Sequence, residues 1–331
     1  MSNNILEIRH LKTYFFTSRG VVKAVDGLSF GLRKGESLCL VGESGCGKTA
    51  TALSILRLID SPPGRIMGGE ILYHDEDLLR CSTERLRQIR GNRIAMIFQD
   101  PQSSLNPVFT VGDQITEQIK LHLRLNHKAA MERTWQLMEQ VGIPQARERM
   151  RDYPHQFSGG MKQRVMIAAA LSCDPEILIA DEPTTAIDTT IKAQILDIFQ
   201  DLKQNRNMSI LFITHDLGTV AEIADRIVVM YGGRIAEAGT TFDIFDHPKH
   251  PYTHGLINCL PSISARRDRL TPIPGMIPSL IDPPEGCIFN PRCERQMPIC
   301  NQERPGEVVV SGEHLVACYL YSKPVHLEGI S

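Results

Sequence analysis

Long apolar runs are missing from this 331-residue chain: nothing approaches the roughly 18 uninterrupted apolar residues that a membrane-spanning helix requires. Concentrated positive charge is missing too. Lysine and arginine total 36 against 38 acidic residues, the net charge is -2, and no long basic run appears, which argues against nucleic acid as a partner. Met1-Ser2-Asn3-Asn4 leads straight into the strand-like Ile5-Leu6-Glu7-Ile8, without the basic-then-apolar plan of a secretory leader, so a cytosolic location is expected. In that reducing compartment the nine cysteines should stay mostly reduced, and clustering among them points to metal or redox chemistry more than to disulfides. The length suits one large domain with an appendage, or two modest domains.

What the chain does contain is GESGCGKT, Gly42 to Thr49, between the apolar run Ser37 to Val41 and the helix-forming run Ala50 to Leu56. Glycines at 42, 45 and 47 allow backbone N–H groups to wrap around phosphates, and the following helix start adds its dipole. Lys48 is then placed to neutralise the outer phosphates and the Thr49 hydroxyl to ligate Mg²⁺, as expected for a nucleoside triphosphate site.

Around this loop, short apolar runs alternate with turns from about 4 to 40 (Ile5 to Ile8, Val21 to Val25, Leu28 to Leu32, Leu38 to Val41), predicting a β-rich lobe. Strands are also expected at Gly69 to Tyr73 and Ile94 to Phe98, and a helical insert from about Val111 to Val141. Ile177 to Asp181 reads as a strand buried on both faces. An amphipathic helix follows, carrying Ile191, Ile195, Leu196, Ile198, Phe199 and Leu202, and then strands at Ser209 to Thr214 and Ile227 to Met230. The alternation predicts an α/β sheet. Prolines crowd the segment from Pro248 to Pro298, and Cys287, Cys293, Cys300 and Cys318 lie in the same tail, which reads as a loop-rich appendage.

Asp181 and Glu182, at the tip of a buried strand, suit the second half of a phosphoryl-transfer site: one carboxylate for Mg²⁺, the other to orient or deprotonate the attacking water. His215 ends another apolar strand. Ser158-Gly159-Gly160 opens a helix as a second, lysine-free anion cap, which suggests that two copies share a nucleotide. With these motifs the chain resembles the nucleotide-binding subunits of ABC transporters over essentially residues 5 to 240.

That resemblance implies a P-loop ATPase fold: a β-rich N-terminal lobe, a RecA-like parallel-sheet core, a helical subdomain at about 105–175 and a small C-terminal appendage, with the nucleotide-binding domain over 1–247 and the tail domain over 248–331. It makes Gly42 to Thr49 the Walker A loop, Ile177 to Asp181 the Walker B strand, Glu182 the catalytic glutamate, Gln99 the Q-loop glutamine and His215 the switch histidine. Phe157 to Met161 matches the signature loop and Ala186-Ile187-Asp188 the D-loop. Phe15 matches the aromatic that stacks on adenine, with Tyr14 and Phe16 as rivals. The catalytic set so implied is Glu182, His215, Gln99 and Lys48. The ATP-contacting set is Phe15, Gly42, Glu43, Ser44, Gly45, Cys46, Gly47, Lys48, Thr49, Ala50, Gln99, Ser158, Gly159, Gly160, Asp181 and Asp188, with Thr49, Gln99 and Asp181 toward Mg²⁺. Two departures stand out: FSGGM where the family has LSGGQ, and Ile187 where leucine is usual.

The tail phrases His247 to Thr253, Ile273 to Pro278, Gly286-Cys287 and Asn290 to Cys293, with Met96 to Pro107 before them, resemble the ATPases of dipeptide and oligopeptide importers, most nearly the first of the usual two. This implies an ATP-hydrolysing subunit powering peptide import, on the cytoplasmic face of the cell membrane. Its partners would be a second, homologous ATPase, two integral-membrane permeases and, indirectly, an extracytoplasmic substrate-binding protein. A nickel importer and a soluble, non-transport ABC ATPase are the alternatives. Four cysteines spaced by five, six and seventeen residues suit Zn²⁺ or an iron–sulfur cluster, or no metal; peptide-importer relatives with this pattern imply a [4Fe-4S] cluster on Cys287, Cys293, Cys300 and Cys318. Cys39, Cys173 and Cys259 read as core. Cys46 sits inside the phosphate loop, where its side chain need not touch nucleotide and where proximity to Lys48 offers a route to reactivity.

Overall fold

In the computed structural model, residues 4–185, 187–260 and 273–322 are described. They form two compact units, one comprising Met1–Ile5, Leu32–Ser37 and His74–Ile213, the other Leu6–Gly31, Leu38–Tyr73 and Thr214–Ser331. Among the described residues no helix is long and apolar enough to cross a membrane.

In the first unit three parallel strands lie side by side. Ile94–Ile97 pairs with Ile177–Asp181, which pairs with Ser209–Thr214 in the register Ile177↔Ser209 to Asp181↔Ile213. Every residue of the last two strands is buried, so their sequences are continuously apolar instead of alternating. Thr189–Arg206 packs on this layer through Phe199, whose ring meets Phe212 edge-on at 5.3 Å. The helical stretch breaks into Val111–Leu123 and His127–Gln140, because Arg124 turns left-handed (φ 53°) and Asn126 caps the second helix by accepting from the Ala129 N–H. Thr116 and Thr134 share a buried hydroxyl–hydroxyl bond of 2.9 Å between these two helices.

The second unit holds the β-rich lobe. The runs at Val21 to Val25 and Leu28 to Leu32, expected as separate pieces, are one strand, Gly20–Arg33, and the first strand runs on to Thr17. Short apolar clusters understate strands whose outward positions are polar. Asn4–Thr17 is antiparallel to Gly64–Tyr73. A second layer pairs Ser37–Val41 in parallel with Arg226–Tyr231, which turns back as Arg234–Thr240 through the two-residue loop Gly232-Gly233. Both loop residues have positive φ (55° and 81°), the twist-compatible hairpin geometry that glycine adopts without strain. The tail adds His314–Val316 to Arg234–Thr240, and Val308–Ser311 outside it.

Buried polar groups hold the tail in place. Glu237, fully buried, accepts the backbone N–H groups of Lys249 (2.7 Å) and His250 (2.9 Å), and its carboxylate lies 2.6 Å from His314 Nε2. Asp26 is met by Tyr14 (2.7 Å), Arg234 (2.6 Å) and Arg304 (3.3 Å). Burial alone would raise the Asp26 carboxyl, but these donors hold it below the usual range; burial and Asp26 together push the Tyr14 hydroxyl up to about 12.

His250 opens the helix Pro251–Asn258, its ring nitrogen accepting from the Tyr252 N–H at 3.0 Å. Burial, aided by His254, pushes its pKa from 6.5 down to about 3. The unfolded chain takes up a proton there below pH about 6.5 and the folded chain does not. This stabilisation is therefore intact above pH 6.5 and drains away as pH falls toward 3, by about 1.4 kcal/mol per unit. His250→Asn keeps a capping acceptor without the titration. Urea unfolding between pH 6.5 and 5 should show a shallower loss of stability in that variant than in the wild type.

Candidate functional site

The phosphate-loop residues lie in the second unit, between the strand Ser37–Val41 and the helix Lys48–Ile55. Gly42, Gly45 and Gly47 have φ of 155°, 80° and 105°. At Gly42 a Cβ would overlap the Met230 carbonyl oxygen, and at Gly47 the Ala24 carbonyl oxygen, so backbone crowding as well as φ demands glycine. Lys48 is buried; its ammonium donates to the carbonyls of Gly42 (2.7 Å) and Glu43 (3.0 Å), which places the charge inside the turn. Ser44, Gly45 and Thr49 are exposed on the loop, whereas Cys46 and Ala50 are buried. Three aromatic neighbours differ in their commitments: Tyr14 is bonded to Asp26, Phe15 is half-buried beside Gly64, and Phe16 is exposed. His215, also in this unit, is exposed, just ahead of the helix Leu217–Ile223 that Asp216 caps.

In the first unit the structure brings together two residues 83 positions apart. Gln99 Nε2 donates to Glu182 Oε2 at 3.0 Å, and the Thr185 hydroxyl donates to the same oxygen at 3.0 Å. Glu182 follows the buried Asp181 at the strand end, with its N–H bonded to the Ile213 carbonyl and its backbone left-handed at φ 48°. A non-glycine residue held in that region stores on the order of 1 kcal/mol of strain, a pattern concentrated at functional sites. Ser158 caps Gly159–Ala170 by accepting from the Met161 N–H, and Gly159 has open space where a side chain would be. A Cβ on Gly160 would press on Ile191. Phe157 is buried with the Arg149 guanidinium 5.8 Å from its ring centre, so this departure from the family pattern is accommodated by packing. Asp188 caps Thr189–Arg206 through the Ile191 N–H at 3.0 Å; Ala186 lies outside the described residues.

The cysteines require corrections. Among the described residues no group of three or more His, Cys, Asp or Glu could hold a metal ion, which overturns the iron–sulfur expectation for Cys287, Cys293, Cys300 and Cys318. All four are free thiols. Burial pushes Cys287 up to about 11 and raises Cys293 and Cys318 as well. At Cys46, where proximity to Lys48 offered a route to reactivity, burial outweighs the ammonium and raises the pKa. Cys39 and Cys173 are buried as expected, but Cys259 is half-exposed.

Two residues near the loop escaped sequence reasoning. Tyr252 accepts the Glu43 N–H at 2.9 Å, and Arg292 pairs with the Glu43 carboxylate from 249 positions away. No spacing rule links such distant positions, and the only signal was a basic residue within the tail phrase Asn290 to Cys293.

The chain is 48% identical over 316 residues to the dipeptide transport ATP-binding protein of Bacillus subtilis (strain 168), covering 96% of this chain and 94% of that one. It belongs to the ABC transporter family. The family description "ABC transporter" matches residues 25–185, and "Oligopeptide/dipeptide transporter, C-terminal region" matches 236–300. The oligopeptide transport ATP-binding protein OppD of the same organism is 48% identical over 317 residues, 96% of this chain and 88% of that one. In fold, this ABC protein is similar to an ATP-binding cassette solved as a dimer in a post-hydrolysis state with ADP and Pi: TM-score 0.65, 22% identity, 71% of this chain and 98% of that one.

The burial of Cys46 yields a direct expectation. Iodoacetamide at pH 8 should leave Cys46 unmodified in the native ABC subunit and alkylate it in urea, as read by peptide mass spectrometry; native labelling as fast as that of the half-exposed Cys81 would show the loop to be open.

Proposed function

We propose that this chain is the ATP-hydrolysing subunit of an ABC importer of di- or oligopeptides. The observation that carries the reading is the extent of its likeness to peptide-transport ATPases: 94% of the length of the dipeptide relative, including the tail segment that the oligopeptide/dipeptide family describes.

The loop's chemistry fits a triphosphate. Positive-φ glycines leave its N–H groups unshielded by side chains, the buried Lys48 ammonium supplies charge, and the following helix start adds its dipole. Thr49, Asp181 and Gln99 would each offer Mg²⁺ an oxygen, and the ion when bound neutralises charge on the β and γ phosphates. In our reading Lys48 binds the outer phosphates, and the Glu182 carboxylate, kept aligned by Gln99 and Thr185, accepts a proton from the water that attacks the γ-phosphorus. The products are ADP and phosphate. His215 and Asp188 would act near the γ-phosphate and at the bridge between two sites, and an aromatic among Phe15, Tyr14 and Phe16 would hold adenine. Ser158, Gly159 and Gly160 would cap the nucleotide held by a second ATPase subunit. Closure of the pair around ATP would drive two permease subunits between inward- and outward-facing states, at the cytoplasmic face of the membrane.

Glutamine at 182 retains the side-chain shape and the left-handed strain, so the exchange isolates the charge. Glu182→Gln should keep MgATP affinity within about twofold and slow steady-state hydrolysis by at least about 100-fold. Lys48→Ala should weaken both binding and turnover. Wild-type hydrolysis by Glu182→Gln would remove the role assigned to that carboxylate. The transport reading is tested in vesicles carrying the assembled importer: ATP-dependent uptake of a radiolabelled dipeptide is expected, and uptake that persists with Lys48→Ala in place of the wild-type subunit would sink it.

A further inference from the structure

The loop residue Glu43 is held by groups from the tail, at both its backbone and its side chain. Its N–H donates to the Tyr252 hydroxyl, and its carboxylate receives a two-point ion pair from Arg292: Nη1 to Oε2 at 2.6 Å and Nη2 to Oε1 at 3.0 Å. Its carbonyl accepts from Lys48 at 3.0 Å and from the Cys46 N–H at 3.3 Å. Every polar group of this residue is therefore engaged. The anchor is itself held by several groups. The Arg292 side chain is only 4% exposed; its Nε donates to the Pro274 carbonyl at 2.8 Å, its Nη1 also reaches the Tyr231 hydroxyl at 3.3 Å, and its guanidinium lies 5.8 Å from the Tyr231 ring centre. Tyr231, Tyr252 and Phe289 pack edge-on or tilted, with ring centres 4.6 to 5.4 Å apart. A bidentate arginine–carboxylate pair in a buried setting fixes orientation as well as distance.

We propose that Arg292 is a positioning residue for the phosphate loop: through Glu43 it holds the loop in the nucleotide-competent conformation, so that the C-terminal tail forms part of the ATP site's support. The proposal rests on the reading that Gly42 to Thr49 bind nucleotide. Arg292 has no reacting atom to touch; it acts by keeping the competent loop conformation populated. If its loss lets that population fall to about a tenth, apparent affinity falls about tenfold while the chemistry of the bound state is unchanged. By linkage, nucleotide in the loop strengthens the tail's hold on Glu43 to the same degree.

The test uses the full-length chain, with MgATP titrated by calorimetry and ATPase kinetics measured alongside. Arg292→Met keeps the apolar stem, and Glu43→Gln with Arg292→Met removes both charges without stranding either one. Arg292→Met should raise the Kd and the KM for MgATP about tenfold with kcat within about twofold, and adding Glu43→Gln to it should weaken binding no further. Arg292→Lys retains the buried charge but not the two-point geometry, and should raise the Kd about threefold even if Arg292→Met folds poorly. A merely structural role would lower thermal stability and the active fraction, leaving the Kd of the folded protein unchanged. A Kd within twofold of wild type in folded Arg292→Lys and in the double variant would overturn the proposal. A wild-type chain that binds no MgATP would instead remove the nucleotide reading beneath it.

Discussion

Crowding around the phosphate loop is the constraint on which the second unit depends. The carbonyl oxygens of Met230 and Ala24 occupy the space where side chains at 42 and 47 would begin, so the loop can close only with glycine at both positions. That close approach is arranged by the neighbouring strand, whose hairpin at Gly232-Gly233 also bonds to the loop through the Gly233 N–H and the Cys46 carbonyl. Lys48 completes the turn from inside, its ammonium donating to the carbonyls of Gly42 and Glu43. The same hairpin meets the tail, because Ile288 packs where a side chain on Gly232 would stand. Loop, hairpin and tail thus share one packed layer, and Glu43, Tyr231 and Arg292 are its polar seam.

The first unit meets a different demand. Three parallel strands, two of them buried at every residue, deliver Asp181 and Glu182 to a strand end, and the chain must then turn sharply enough to leave Glu182 left-handed. Gln99 and Thr185 converge on one carboxylate oxygen, which limits how that side chain can swing. Strain held by surrounding hydrogen bonds is the usual cost of presenting a single oriented carboxylate.

The cysteines separate composition from environment. Four of them in one proline-rich tail invite a metal reading, and spacing alone cannot oppose it. Their placement decides otherwise, because among the described residues no three of these side chains come together as a ligand set, and burial raises the thiols of Cys287 and Cys318. Cys46 follows the same logic: its neighbour Lys48 favours the thiolate, but desolvation is the larger effect.

Much was legible in the linear chain because the physics is local there. The strand Ile177 to Asp181 and the strand Ser209 to Thr214 were readable residue for residue, since an unbroken apolar run bounded by polar residues has few other uses. The loop between a strand and a helix was readable from glycine spacing and one lysine. The strand Arg234–Thr240 and the tail strands were not, because Glu237 sits fully buried in the first of them, as a carboxylate that only distant partners, Lys249, His250 and His314, make tolerable. The sequence by itself determined the α/β class, the phosphate loop and the position of Glu182 after its strand, all of which follow from neighbours within a few residues. Only the tertiary structure decided that Gln99 meets Glu182, that Arg292 meets Glu43 and that Cys46 and Cys287 are buried among groups that raise their thiols, because contact and desolvation depend on which distant segments share one interior.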